Sequence, residues 1–458
     1  MPVTGEDCTM SEAVGLRAPR IYNLFPPLTG SIPDWSRHIL RVRDMGFNWI
    51  YINPFHYPGF SGSLYAVKDY YRLNPMLRGP AYASDDDLLR GFIESAGSHG
   101  LSVIMDLVIN HTSRDSTLVH EHPDWFQRDP DGNLVSPCAS HPDDPDKRTV
   151  WGDLAALDYH PRPQRAALVG YFCSVVRHYA RLGMRAFRCD AAHRIPADVW
   201  LAIMAAAHQE NPDILFFAET LGCTPDEVEA LRPARFDYLF NSSKWWDGEA
   251  PWLLDHYEQF RDLAPSVSFP ESHDTARLAA ETEASGVSSV KLIAEVQRYR
   301  YLFSAMFSSA VMMPMGYEFG FTRPMNVVTS RPEQWENARF DISPYVAEVN
   351  RLKASLSVLN REGPQQRLAS PSGAYALLRR NNHGAEWVLT VINPPHNGTA
   401  CLALDRDPIG RRAACGIDVT PAFPAGGSTA DLAVLVLRGG EIRVFTGTTE
   451  PEEPLADL

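Results

Sequence analysis

The chain has 458 residues and 51.1 kDa, more than one ordinary core holds and enough for a barrel plus a smaller module. Its 45% hydrophobic and 21% charged residues exclude wholesale disorder. The net charge of −14 disfavours nucleic acid or another polyanion as partner and is compatible with a neutral substrate such as a sugar.

Eight short apolar, β-forming runs follow one another between Arg20 and about Gly320. They are RIYNLF (20–25), FNWIYINPF (47–55), LSVIMDLVI (101–109), MRAFRCD (184–190), ILFFAE (214–219), RFDYLF (235–240), PSVSFP (265–270) and SAVMMPMGY (309–317). Helix-like segments separate them. Asp34 to Met45 carries a stripe of Trp35, Ile39, Leu40 and Val42 before Gly46; Asp85 to Ser98 ends before Gly100, and Gln164 to Leu182 before Gly183. Near-continuous apolar strands alternating with helices predict a parallel sheet buried on both faces, and eight units predict an α/β fold, a (β/α)8 TIM barrel. Met312, Met313 and Met315 are expected in its core.

The expected organisation is an N-terminal segment (1–19), a catalytic barrel (20–360), a C-terminal antiparallel β domain (361–449) and an acidic tail (450–458). The barrel includes an inserted subdomain (110–162) after strand three, because so long a Pro-, Asp- and His-rich connection does not stay structureless in a compact domain. Cysteines 8, 138, 173, 189, 223, 401 and 415 form no CxxC pair, which fits a reducing compartment. With no secretory signal and no run of roughly 18 apolar residues, the expectation is a cytoplasmic chain without membrane contact. The sequence leaves the oligomeric state open.

Catalytic groups of a TIM barrel sit where strands end. Those positions hold Asp106, Asp190, Glu219 and Asp274, with His111, Arg188, His193 and His273 nearby. Any one of the acids reads equally as a helix cap or an arginine partner. Four in corresponding places indicate a shared site, since a carboxylate buried behind an apolar strand needs partners. Cleavage of a glycosidic bond with retention requires a nucleophilic carboxylate and an acid/base about 5 Å apart. Acids on adjacent strands, about 4.8 Å apart, can meet that distance, and Asp190 and Glu219 end consecutive strands. Asp274, opposite, can hold sugar hydroxyls and stabilise an oxocarbenium-like state.

These segments resemble the signature regions of the α-amylase family of glycoside hydrolases: DLVINH (106–111), GMRAFRCDAAH (183–193), FFAET (216–220), ESHDT (271–275) and SLYAVKDYYRLNP (63–75). The resemblance implies that Asp190 is the nucleophile, Glu219 the acid/base and Asp274 the transition-state stabiliser. It makes His111, Arg188 and His273 sugar-binding residues with Tyr65 as stacking platform, and adds Asp69 at the entrance and His193 to the binding set. Asp106 is expected to orient Arg188, and Arg188 to keep Asp190 ionised.

Three departures from the pattern matter. Ser272 replaces the usual Asn, and His193 with Arg194 stand where a Lys-His pair is common. Ala155 and Ala156 replace a proline and an aspartate, so the structural calcium many relatives hold there with Asn110 is not expected; neither is any cofactor. His120, Glu121 and His122 read as a polar loop rather than a metal site, and Trp245 and Trp246 as sugar-stacking candidates. SLYAVKDYY, EHPDWFQRDPDGN (121–133) and His193 also resemble bacterial maltosyltransferases that use maltose 1-phosphate. The expected function is therefore a retaining hydrolase or transglycosidase of α-linked glucosides. The alternatives are a maltosyltransferase-like enzyme with a glycosyl phosphate donor, or a non-catalytic amylase-like binding protein.

Overall fold

The computed structural model describes residues 18–448 apart from 81, 142–143, 371, 382–385, 396, 403–414, 422–428 and 432–434. The expected acidic tail, Cys8 and nearly all of the expected N-terminal segment lie outside the described residues. Each predicted apolar run contains a strand: β1 (Arg20–Leu24), β2 (Trp49–Ile52), β3 (Ser102–Leu107), β4 (Ala186–Cys189), β5 (Leu215–Glu219), β6 (Tyr238–Phe240), β7 (Ser266–Ser268) and β8 (Ala310–Pro314). They close into a parallel barrel in sequence order, β8 returning to β1 through Ile21↔Met312.

Alternation along the strands makes the two cores. Ile21, Tyr51, Ile104, Phe217, Phe240, Val267 and Met312 point into the lumen. Their neighbours Tyr22, Ile50, Val103, Phe216, Val311 and Met313 pack outward under the helices. At about 25 cal/mol per Å2, apolar burial of this extent is the main favourable term in folding.

Helix 85–98 starts on the Ser84 cap, whose side chain accepts from Asp87 N–H, and helix Arg165–Leu182 stops at Gly183. Gly183 adopts φ +107°, and a Cβ there would stand 3.0 Å from Ile93 Cγ2, so glycine both ends the helix and lets it approach its neighbour. The segment expected as one helix over 34–45 differs. It is Ile32–Trp35, a 3-10 turn at Ser36–His38 and Ile39–Asp44. Trp35, Ile39 and Val42 are buried at i, i+4 and i+7, while Leu40, one position off that face, is half exposed.

The connection after β3 is folded. His111–Ser113 pairs antiparallel with Leu154–Ala156, and Cys138–His141 with Asp144–Val150. Beyond the barrel, a six-stranded antiparallel sheet runs in the order 365–369, 375–380, 386–393, 441–448, 415–418, 429–431. Leu378, Trp387, Leu389 and Phe445 form its core. Among the described residues Cys138, Cys173, Cys189, Cys223 and Cys401 are free, and no helix is long and apolar enough to cross a membrane.

Candidate active site

The barrel brings the acids at the ends of β3, β4 and β5 around one guanidinium. Parallel pairing sets Arg188 level with Asp106 on one side and Phe217 on the other, two residues short of Glu219. Arg188 Nη1 donates to Asp106 Oδ1 and Oδ2 at 2.8 and 3.0 Å and to Asp190 Oδ1 at 2.8 Å. Its Nη2 lies 2.8 Å from Glu219 Oε1. Glu219 Oε2 accepts from the Ala191 backbone N–H at 2.8 Å. Asp106 is fully buried and accepts from Tyr51 and Tyr65 hydroxyls at 2.6 and 2.7 Å, so it positions Arg188 rather than facing a substrate.

Asp274 closes the opposite rim. Its carboxylate lies 3.0 Å from His273 Nε2, and its side chain is 56% exposed. Desolvation works to raise its pKa, but the His273 charge and hydrogen bond, with Arg188 behind them, hold it down at about 2. Ser272, where relatives of this pattern carry Asn, caps the turn: its hydroxyl accepts from Asp274 N–H at 3.2 Å.

Arg188 pulls on the Asp190 carboxyl in the expected direction, but it does not act alone. Burial, and then the charges of Glu219, Asp106 and Asp274, push the Asp190 carboxyl well up against the pull of Arg188. One cation cannot balance so many crowded carboxylates at low effective dielectric.

The remaining sequence-predicted residues divide. Tyr65 lies parallel to His273, centroids 5.5 Å apart, with its hydroxyl 2.6 Å from His273 Nε2. His111 is nearly buried and its Nε2 pairs with the Tyr65 carbonyl at 3.1 Å; burial holds it neutral, with a pKa of about 4. It thus holds the loop that carries Tyr65. Asp69 accepts from Tyr71 N–H at 2.8 Å within its own strand, Val67–Leu73, and makes no described contact with the acids. His193, on the turn Ala192–Arg194, faces Cys223 and Glu227. Trp245 is 54% exposed with its edge toward Phe269, whereas Trp246 is buried on Phe303, so only Trp245 remains available for stacking.

Sequence reasoning missed Tyr51, near the end of β2, and Asn53, just beyond it, which complete the network around Asp106 and Tyr65. Their position at a strand end was the available signal. It also missed the buried pair Glu271–Arg277 at 2.9 Å, which ties the loop after β7 to the Met315 carbonyl. The cleft beside the acids is lined by Tyr51, Leu221, Phe240, Phe269 and Met312. A larger cavity of about 70 Å3, between β6 and helix Trp252–Phe260, contains none of the acids.

A calcium ion of the kind expected from the α-amylase resemblance does not fit these residues. Asn110 Oδ1 is buried without a hydrogen-bond partner, but Ala156 offers only a methyl, and Asp158 is engaged by Arg162 at 2.8 Å. A hard cation needs several oxygens including carboxylates.

Fold and site together define a (β/α)8 barrel with acids where β4 and β5 end and a third in the loop after β7. Residues 13–127 match the family model of the glycogen debranching enzyme glucanotransferase domain. The chain is 26% identical over 403 residues to the α-1,4-glucan:maltose-1-phosphate maltosyltransferase of Burkholderia pseudomallei, covering 84% of this chain and 34% of that protein. It is 24% identical over 384 residues to that of Myxococcus xanthus, covering 77% and 54%. The chain thus spans about a third to a half of the length of these curated relatives. Among solved structures, an α-amylase from Lactobacillus plantarum superposes with TM-score 0.73 at 21% identity, covering 94% of this chain and 99% of that one. A debranching enzyme from Nostoc punctiforme superposes with TM-score 0.69 at 16% identity, covering 94% and 98%. These structures share the fold.

Proposed function

We propose that the protein is a retaining enzyme of α-linked glucosides that works through a covalent glycosyl ester on Asp190. The carrying observation is that Asp190 and Glu219 occupy the two terminal nitrogens of one guanidinium, with Asp274 across the cleft. In the first step Asp190 attacks the anomeric carbon while Glu219 gives its proton to the departing oxygen. In the second, the Glu219 carboxylate takes a proton from water or a sugar hydroxyl, whose oxygen displaces Asp190. Two inversions leave the configuration unchanged.

A proton donor cannot stay in an ion pair with Arg188, so the working state requires Glu219 to leave Nη2 as the sugar enters. Asp274, ionised at all ordinary pH, faces the positive charge that develops at the anomeric centre.

The sequence relation to maltosyltransferases favours transfer from a glycosyl phosphate as a second reading. Maltose 1-phosphate, maltooligosaccharides, sucrose and trehalose, each with and without a glucan acceptor, distinguish the two by product chromatography. Chain extension from maltose 1-phosphate selects transfer, and reducing sugar from maltooligosaccharides selects hydrolysis. A product of inverted configuration would overturn the retaining mechanism.

A further inference from the structure

We propose that His193, Cys223 and Glu227 form a binding site for a thiophilic divalent cation of the zinc type, bridging the loops that follow β4 and β5. One ligand atom from each of the three lies within 4.8 Å of the other two. The three come from separate local structures. His193 sits on the 3-10 turn Ala192–Arg194, Cys223 in the loop after β5, and Glu227 on the short helix Pro225–Glu229.

Each side chain offers a ligand atom, and the Cys223 thiol, which burial and the Glu227 and Glu219 charges push up to about 12, would lose its proton to the ion. His193 Nδ1 is buried and has no hydrogen-bond partner. Cys223 is a free, half-buried thiol. Glu227 is fixed through Oε2, which accepts from Thr224 N–H at 2.9 Å and from its hydroxyl at 3.2 Å, leaving Oε1 to a ligand. Imidazole, thiolate and carboxylate together select zinc and its soft neighbours over calcium or magnesium, which take oxygen alone. Tetrahedral coordination at the usual zinc distances needs ligand atoms about 3.5 Å apart, so closure asks for roughly 1 Å of movement between two loops. Three protein ligands leave a fourth position for water or a sugar hydroxyl.

The site lies close to the catalytic apparatus along the chain. His193 is three residues beyond Asp190, and Cys223 four beyond Glu219. An ion there clamps the two loops that carry the nucleophile and the acid/base, whatever substrate the barrel takes. Its test therefore needs no substrate.

Cobalt(II) titrated into the full chain reads the site through the thiolate-to-cobalt absorption band in the near ultraviolet. The expected result is one equivalent bound with that band, displaced by zinc. Cys223→Ser removes the band, while Cys138→Ser leaves it in place. Glu227→Gln keeps the helix cap and the band but weakens binding at least about tenfold, since a carboxylate ligand becomes an amide. Circular dichroism of each variant confirms folding. A Cys223→Ser protein that is folded and keeps the band, a Glu227→Gln protein that binds as tightly as the parent, or a parent with no band at saturating cobalt overturns the assignment.

Discussion

The Ala191 N–H donates to Glu219 Oε2 at 2.8 Å from a backbone held at φ +42°, one of two left-handed non-glycine conformations among the described residues. The residue after the proposed nucleophile thus holds the proposed acid/base, and the strain of an alanine in this region is the condition for that contact. Ala191→Val adds β-branching where the left-handed region tolerates it least. It is expected to lower stability by about 1–2 kcal/mol in urea unfolding and to reduce kcat more than it raises KM. Unchanged stability would show that the turn relaxes without cost.

Asp190→Asn is expected to abolish turnover, since an amide cannot form the glycosyl ester; residual activity above about a tenth of the parent rate, roughly 1.4 kcal/mol in barrier, excludes the role. The fold should not suffer. The Asp190 carboxyl is pushed up in the folded chain, so ionisation opposes folding above its unfolded pKa of about 3.9. The variant is therefore expected to gain stability relative to the parent as pH rises from about 4 to 7.

Glu219→Gln separates the two halves of the mechanism. Natural substrates, whose leaving group needs a proton, should react far more slowly, and an α-glycosyl fluoride should be hurt much less in the first step. Azide, which needs no base, should then restore turnover and give the α-glycosyl azide. Formation of the β-azide alone would exclude Glu219 as acid/base of a retaining enzyme.

Acid should destabilise the fold through two histidines. Burial holds His56 at about 3 and His111 at about 4, both below the ordinary 6.5. Between these values and 6.5 the unfolded chain binds protons that the folded chain does not, so stability rises with pH across the window. Each contributes up to about 1.4 kcal/mol per pH unit there. His56 packs on Phe55 with both ring nitrogens buried and unpartnered, so His56→Phe is expected to remove its share of the slope in unfolding measured from pH 4 to 7.

Calcium is not expected to support the fold, because Ala156 stands where a carboxylate would serve Asn110. Melting temperatures with excess calcium and with EGTA should coincide. A large drop in EGTA reversed by calcium would show that other oxygens make the site.

The sequence by itself determined the barrel. Its eight buried strands are apolar on both faces, and that pattern is local and continuous, with Gly183 and its counterparts marking where helices stop. It also placed Asp106, Asp190 and Glu219 at strand ends and Asp274 just past one, because position along a strand is legible from the strand alone.

What meets across the barrel was legible only in part. That Arg188 serves Glu219 as well as Asp106 and Asp190, and that their crowding pushes Asp190 up, depends on neighbours 82 and 31 residues away from it. Tyr51 reaches Asp106, and His111 turns to the Tyr65 carbonyl, only after β2 and β3 pair and the loops fold over them. Hydrogen bonding and charge act over a few ångströms in space, whatever the separation in sequence. Periodicity fixes the elements; closure of the barrel decides which of their polar ends face one another, and so which charges share the site.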